Sequence, residues 1–308
     1  MNYFNVILLY MPVKRSKKSF SKRKNILLGN GFSVEKSYGC KWLIDWSNTV
    51  DKKVPYKLFE DDQINYFINK IKIYKPEYFL DVGAHGGLYS IILQKNFSRL
   101  KVIAFEPGKE SSEEFRENIK LNNFKNIKLK KIILGENCGE EVFFHFSSND
   151  TGTSYGVKQP DNENLDWKSF KTSTLDKEIN DKKIKVVKID VEGFEGQILR
   201  GSQSLLKNDI VRYWIVEYAP HCLARLNDSL NTLRVYMRKY GLEMFVLDPS
   251  GGLPKYIPHK SDLKLYGIPN LLFTKMDSIN IDWLLEDLEQ HYYPKMLYAK
   301  KNLQSYIN

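Results

Sequence analysis

The chain has 308 residues, of which 42% are hydrophobic and 27% charged, so it can bury one sizeable globular core. Its net charge of +10 is concentrated near one end: seven Lys and Arg residues between positions 14 and 24 leave +3 for the remainder, which argues against a basic nucleic-acid-binding surface on the body. The three cysteines, Cys40, Cys138 and Cys222, are too widely spaced for a disulfide framework or a zinc site.

The first 30 residues form a basic leader without an acidic side chain. Its apolar run, residues 4–11, is much shorter than the roughly 20 residues that span a bilayer. The positive charges follow this run, and no cleavage site of small residues is present, which is not the order of a signal peptide. We therefore expect a flexible leader, no transmembrane segment and a cytoplasmic protein. An anionic surface is a weak partner that the leader suggests.

From Tyr78 onward, apolar strands alternate with amphipathic helices, which predicts a doubly wound α/β domain over residues 77–308. Residues 31–76 precede it, and we expect them to pack on the core as a small N-terminal subdomain. The polar loop 147–160 interrupts the alternation of strands and helices. After the strand 184–190, one helix is predicted over residues 195–206. The predicted strands, in chain order, are 78–82, 102–105, 127–134, 141–146, 168–172, 184–190, 213–217, 244–247 and 271–274.

The first of these strands ends in Asp81 and continues as VGAHGG into the next helix. Glycines let a ligand approach the backbone closely, and unpaired N–H groups at a helix start can face it. The following strand ends in Glu106, whose carboxylate can accept hydrogen bonds from both hydroxyls of a ribose. The two strand ends together predict a site for a nucleotide-like ligand.

The spacing of the turn distinguishes between two such ligands. A dinucleotide site has G-x-G-x-x-G, so that a pyrophosphate can bind at the helix N-terminus. This chain has D-x-G-x-x-G instead, and an anionic Asp81 would repel a pyrophosphate but favour the ammonium group of S-adenosylmethionine (SAM). The motif therefore favours SAM over NAD, and the structural alternative is a tight turn beside a solvated Glu106.

Three sequence blocks follow one another along the chain: DVGAHGGLYS from Asp81, AFEP from Ala104 and KIDVEGFE from Lys188. In order and approximate spacing they resemble the FkbM-type methyltransferases, and ILGENCGEE (133–141), TLD (174–176) and VEY (216–218) are further matches. The resemblance spans about residues 77–275. It implies a Rossmann-like class I methyltransferase sheet of seven strands with the last strand antiparallel, SAM as cofactor, and O-methylation of sugars or other glycan-like metabolites.

Carried over position by position, the resemblance and the turn chemistry together predict the contacts to SAM. Ile133 and Leu134 are expected to border the adenine, although the family often has a small residue where Ile133 stands. The predicted cofactor-binding residues are Asp81, Gly83, Ala84, His85, Gly86, Glu106, Pro107, Ile133, Leu134 and Asp190.

The chemistry that remains is to align an acceptor with the methyl group and to remove its proton. Asp190, at the end of strand 184–190, is the leading candidate for the general base, with Glu217 and His221 as second choices. Asp190 could instead cap the next helix, or pair with Lys188 on the same strand face. Asp190, Glu217 and His221 could hold a hard divalent ion, but their spacing does not demand one and we predict no metal.

These features predict a SAM-dependent methyltransferase that acts on an oxygen of a sugar, glycan or other small-molecule acceptor, with no specific nucleic-acid partner. Two alternatives stay open. A nucleic-acid methyltransferase would carry a motif such as NPPY to engage a flipped base, where this chain reads KIDVEG. The second alternative is a non-catalytic SAM-binding module. The chain has the acidic region at Asp190 as well as the pair of Asp81 and Glu106, which argues against this alternative.

Overall fold

The computed structural model describes residues 31–146, 154–160, 165–179, 184–247, 254–257 and 269–275. The basic leader and about half of the predicted polar loop 147–160 lie outside these residues. Within the described part of the chain, every helix is too short or too polar to cross a membrane.

The described elements follow one another as strands and short helices. In chain order they are β1 (Phe32–Ser37), β2 (Cys40–Asp45), a 3-10 helix (Asp51–Tyr56), α1 (Asp61–Tyr74), β3 (Tyr78–Val82), α2 (Leu88–Asn96), β4 (Lys101–Phe105), α3 (Lys109–Leu121), β5 (Ile127–Lys130), β6 (Ile133–Leu134), β7 (Glu141–His145), β8 (Tyr155–Val157), β9 (Trp167–Ser173), α4 (Leu175–Glu178), β10 (Ile184–Ile189), α5 (Glu195–Arg200), α6 (Gln203–Lys207), β11 (Tyr213–Glu217), α7 (Pro220–Leu223), a second 3-10 helix (Ala224–Leu226), α8 (Leu230–Arg238), β12 (Glu243–Val246), β13 (Lys255–Tyr256) and β14 (Asn270–Thr274).

The central sheet has the strand order β13–β12–β14–β11–β10–β3–β4–β5 among the described residues. Strands β5, β4, β3, β10 and β11 run parallel to one another. Strand β14 lies antiparallel between β11 and β12. Apart from the two-residue edge strand β13, this is the seven-stranded Rossmann-like sheet with an antiparallel last strand, as predicted from the sequence.

The middle strands form because their sequences are apolar over nearly their whole length. β3, β4, β10 and β11 are buried at almost every position, as expected for parallel strands covered by helices on both faces. Because parallel strands end at the same edge of a sheet, Asp81, Glu106, Asp190 and Glu217 lie together at the carboxyl edge. Asp81 and Lys188 are direct cross-strand neighbours.

The predicted strand 127–134 is wrong as a single element. β5 pairs with β4 in the central sheet, whereas β6 pairs with β9 in a separate sheet of order β6–β9–β7–β8. The burial pattern changes at the same place: β5 is half-buried to exposed, whereas Ile133 and Leu134 are adjacent and both buried.

The predicted helix 195–206 is also wrong as a single element, because it breaks into α5 and α6 at Gly201. A side chain at Gly201 would overlap the carbonyl oxygen of Gly135, so a small residue is needed where the chain passes this loop. The Ser202 hydroxyl donates to the Ile198 carbonyl (2.6 Å), which satisfies one of the last carbonyl groups of α5.

The segment before β3 packs against α3 and shares the hydrophobic core of the sheet. The Leu43 N–H donates to Oδ1 of Asn118 (2.8 Å), and the Lys41 N–H donates to Oδ1 of Asn122 (2.9 Å). Trp42, on the same strand, is 2% exposed. Asn118 also donates through Nδ2 to the carbonyl of Gly86 (2.9 Å), so it links β2 to the glycine turn.

We predict that Gly83→Ala destabilises the fold by about 3 kcal/mol or more, as measured by urea unfolding. Gly83 has φ +80°, and an added Cβ would overlap the carbonyl oxygen of Asp190. Gly139→Ala is the matched control, because Gly139 has φ +79° but open space around it, so only the backbone cost of about 1 kcal/mol applies. Equal losses in the two variants would show that the close approach to Asp190 is unimportant.

Candidate active site

A cavity of ≈ 870 Å³ opens at the carboxyl edge of the central strands. This volume suits a small-molecule site, which typically measures about 300–1,000 Å³. Glu217 lines the cavity, whereas His221, on α7, is exposed and is not among the lining residues. All ten residues predicted to contact SAM line it: Asp81, Gly83, Ala84, His85, Gly86, Glu106, Pro107, Ile133, Leu134 and Asp190.

The glycine turn is tied to the end of β4. The N–H groups of Gly83 and Ala84 both donate to the carbonyl of Phe105, at 2.9 and 3.1 Å. The next N–H, of His85, donates to Oε2 of Glu106 at 2.9 Å. These three N–H groups therefore fix the turn against β4 and precede the helix start at Leu88, whose N–H groups were predicted to face the ligand.

Glu106 accepts one backbone N–H on each carboxyl oxygen, from Gly108 on Oε1 (2.8 Å) and from His85 on Oε2 (2.9 Å). Burial raises the pKa of Glu106 to about 7, although both hydrogen bonds act to lower it. Each carboxyl oxygen has a second lone pair, and Glu106 lines the cavity. The side chain therefore remains able to accept hydrogen bonds from a ribose.

Asp81 is 1% exposed, and only one of its two carboxyl oxygens has a hydrogen-bond partner among the described residues. Its Oδ2 accepts from the Ser90 hydroxyl (2.6 Å) and N–H (3.2 Å), while Oδ1 is buried without a hydrogen-bond partner among the described residues. Burial raises the pKa of Asp81, and Lys188 and Ser90 lower it in part. An unsatisfied buried acceptor costs about 1–3 kcal/mol, so Oδ1 fits a donor that a cationic ligand brings.

Asp190 pairs with Lys188, as the strand periodicity suggested. Lys188 Nζ donates to Oδ2 of Asp190 at 2.6 Å, and the side chains are 3% and 23% exposed. The start of α5 is served by another acid, because Glu195 accepts from the N–H groups of Val191 (3.0 Å) and Gly193. The carboxylate of Asp190 is therefore engaged with Lys188 at the cavity, and Glu195 takes the helix-start position.

Two further carboxyl groups approach Asp190. The oxygens of Glu60, Asp190 and Glu217 lie within 4.8 Å of one another, a spacing at which carboxylates can hold a cation. Burial, with Asp190 adding to it, raises the pKa of Glu217 to about 11, so this carboxyl is protonated at neutral pH. Its Oε2 is buried and has no hydrogen-bond partner among the described residues.

Glu60 was missed by the sequence analysis because it precedes the motif blocks and has no distinguishing neighbours. It stands directly before α1 with φ +50°, and its Oε2 accepts from the Tyr89 hydroxyl at 2.6 Å. His85 (φ +49°) and Glu192 (φ +52°) line the same cavity in the same left-handed conformation. Such strained non-glycine residues tend to gather at functional sites.

Aromatic side chains form much of the remaining wall of the cavity. Phe144 and Phe170 come from the small sheet, and their rings meet edge to face at 6.2 Å between centroids. Trp42 and Phe59 come from the segment before β3. Asp51, also in this segment, forms with His85 and Glu114 a second group whose spacing could hold a metal ion.

A family model described as the methyltransferase FkbM domain matches residues 81–244, which is more than half of the chain. The chain belongs to this family. SAM is therefore the cofactor of this FkbM methyltransferase, as the sequence predicted. The site fits SAM on its own chemistry, because Asp81 offers an unpaired buried oxygen to a cation and Glu106 offers lone pairs to a ribose.

Individual relatives are distant. "Methyltransferase 1" of Beauveria bassiana (strain ARSEF 2860) is 22% identical over 143 residues, or 40% of this chain and 57% of that protein. The chain thus matches little more than half of that relative's length. Human methyltransferase 10 domain containing protein shares 13% identity at a TM-score of 0.44, over 84% of this chain and 97% of that one. M. jannaschii TYW2, solved in complex with AdoMet, shares 15% sequence identity at a TM-score of 0.35. The match covers 80% of this chain and 88% of that one.

We predict that the affinity for SAM rises as the pH is raised through about 7. Glu106 has a pKa of about 7. Below that pH it is protonated, and it loses the charge that accepts the ribose hydroxyls. Calorimetry should show affinity falling by up to about tenfold per pH unit below 7, and Glu106→Gln should weaken binding and flatten this dependence.

Glu195→Gln is the matched control. The pKa of Glu195 is likewise raised by burial to about 7, but its carboxylate serves the backbone before α5 and is not among the cavity-lining residues. This variant should leave the pH dependence of SAM binding intact. A flat profile for the unmodified protein would contradict the role given to Glu106.

Proposed function

We propose that this methyltransferase transfers the methyl group of SAM to a hydroxyl oxygen of a saccharide or another small polyhydroxylated acceptor. The observation that carries the proposal is the group formed by Asp190, Glu217 and Glu60 at the carboxyl edge of the sheet. Carboxyl groups at this spacing suit neighbouring hydroxyls, because a carboxylate accepts hydrogen bonds and a protonated carboxyl also donates one.

Asp190 is the group placed to take the proton. Its side chain is 23% exposed, whereas that of its ion-pair partner Lys188 is 3% exposed, and Asp190 lines the cavity. Lys188 binds only its Oδ2 oxygen in the contacts seen, which leaves Oδ1 for an acceptor hydroxyl. Bound SAM would supply an electrophilic methyl group, and Asp190 would hold the attacking oxygen and accept its proton.

Glu217 suits a different task. Because its pKa is raised to about 11, it carries a proton at neutral pH and cannot serve as a base there. The protonated carboxyl can donate a hydrogen bond to one acceptor oxygen and accept one from another hydroxyl. We therefore assign Glu217 to acceptor binding, and we assign no role to His221, which is exposed and away from the cavity lining.

The cluster of Glu60, Asp190 and Glu217 also argues against a nucleic-acid acceptor. A polyanionic substrate is held chiefly by cations that contact its phosphates. Four further lysines line the cavity (Lys53, Lys109, Lys131 and Lys168), but the cation in contact with Asp190 itself is Lys188, which is 3% exposed and already bound to that carboxylate. The aromatic wall formed by Phe144, Phe146 and Phe170 suits the apolar faces of a sugar ring as well as other flat or apolar groups.

We predict that Asp190→Asn lowers the rate of methyl transfer by about 10² or more, since general-base assistance is worth about 10²–10⁴-fold. Glu217→Gln should lower it far less, because glutamine mimics the protonated carboxyl. His221→Ala should leave it unchanged. Single-turnover rates at saturating SAM measure all three, with SAM affinity determined in parallel to separate transfer from cofactor binding.

The outcome decides which residue is the base. An active Asp190→Asn variant would remove Asp190 from that role, and an inactive His221→Ala variant would return the role to His221. A rate lost in Glu217→Gln to the same extent as in Asp190→Asn would mean that Glu217 ionises during the reaction.

The acceptor class requires a separate experiment. The protein is incubated with isotopically labelled SAM and with separate pools of oligosaccharides, small hydroxylated metabolites and RNA, and mass spectrometry locates the label. Label in an ether of a saccharide or small metabolite supports the proposal. Label in RNA, or on nitrogen, would overturn the choice of acceptor.

A further inference from the structure

The three carboxyl groups Glu60, Asp190 and Glu217 come from three separate parts of the chain, and their oxygens are close enough to share one cation. In a cavity wall such a group is costly unless positive charge compensates it. The chain brings its own positive charge to this place, in the side chain of Lys188.

Lys188 is held on several sides. Its Nζ donates to Oδ2 of Asp190 at 2.6 Å and lies 4.6 Å from the centre of the Tyr89 ring, over its face. The hydroxyl of the same tyrosine donates to Glu60 at 2.6 Å. Lys188 is thus the centre of a chain of contacts that runs from α2 to the segment before α1.

The electrostatics agree with this geometry. Burial acts to lower the pKa of Lys188, but the charges of Asp190, Glu60 and Asp81 outweigh it and hold the pKa above its usual value. A lysine that is 3% exposed therefore stays charged. Removing its positive charge would leave the carboxylate of Asp190 without its cationic partner.

We infer that Lys188 is a positioning residue whose ammonium group takes the place of a divalent cation among Glu60, Asp190 and Glu217. It fixes Asp190 in one orientation through Oδ2 and leaves Oδ1 to the acceptor. Methyl transfer then needs no metal ion at this site. The inference rests on the proposed function only in naming Asp190 as the base.

The test uses Mn²⁺ alone as the probe and needs no acceptor. Electron paramagnetic resonance measures Mn²⁺ bound by the full chain. The part of the signal that Glu217→Gln removes is assigned to the site formed by Glu60, Asp190 and Glu217. The unmodified protein should show no such signal. Lys188→Met should gain it, with Mn²⁺ bound at least about tenfold more tightly than in the unmodified protein, which is about 1.4 kcal/mol.

Two controls complete the design. Lys188→Arg keeps the positive charge and should gain no Mn²⁺, and Lys188→Met with Glu217→Gln should lose the Mn²⁺ that Lys188→Met gains. Ion bound at Asp51, His85 and Glu114 is insensitive to Glu217→Gln and is thereby separated. Thermal melting and S-adenosylhomocysteine binding establish that each variant is folded.

The inference is overturned if the unmodified protein itself binds Mn²⁺ and Glu217→Gln abolishes that binding. This result does not depend on the folding of any Lys188 variant. It is also overturned if a folded Lys188→Met variant binds no Mn²⁺. Neither result would disprove methyl transfer to a hydroxyl, which the labelling experiment tests separately.

Discussion

The site depends on the contact between the glycine turn after β3 and the end of β10. Gly83 lies so close to the carbonyl of Asp190 that a side chain would not fit, and the Asp190 N–H donates to Val82 at 2.9 Å. On the other side, Gly83 and Ala84 donate to Phe105, at the end of β4. Three strand ends thus meet at one point, and the carboxyl groups that follow them are brought around a single cavity.

This arrangement gathers more carboxyl groups than the protein can easily keep ionised. Burial raises the pKa of Asp81, Glu106 and Glu217, to about 7 for Glu106 and about 11 for Glu217. The buried ammonium of Lys188 faces these carboxyl groups from the same edge of the sheet. In the function proposed above, Asp190, paired with Lys188, takes the acceptor's proton, and Glu217 is a neutral hydrogen-bonding group.

The segment before β3 completes the site, although it lies outside the part of the chain that matches the family. It contributes Trp42, Phe59 and Glu60 to the cavity. Glu60 is tied to the family domain through Tyr89, two residues after the glycine turn. The family domain supplies all ten predicted SAM contacts, so this segment adds to the cavity residues that are not among them.

The sequence by itself determined most strands of the central sheet, and it predicted residues for the SAM site that the structure gathers at one cavity. Long apolar strands and the glycine turn are local signals, so β3 and β11 were predicted with their observed bounds, and all ten predicted SAM contacts line the cavity. Two predicted elements were wrong: the strand 127–134 breaks where the chain leaves the central sheet to pair with β9, and the helix 195–206 breaks at Gly201, where the chain passes close to Gly135.

Only the tertiary structure decided which side chains meet across elements distant in the chain. Glu60 reaches Asp190 because α1 and α2 pack together, and no periodicity of the sequence encodes that contact. His221 and Glu217 look alike as candidates for a base when only their spacing is known. The fold separates them, because Glu217 ends a buried strand at the cavity whereas the side chain of His221, on α7, is exposed and does not line the cavity. A pKa likewise depends on the burial and the neighbouring charges that folding creates, which a linear sequence does not contain.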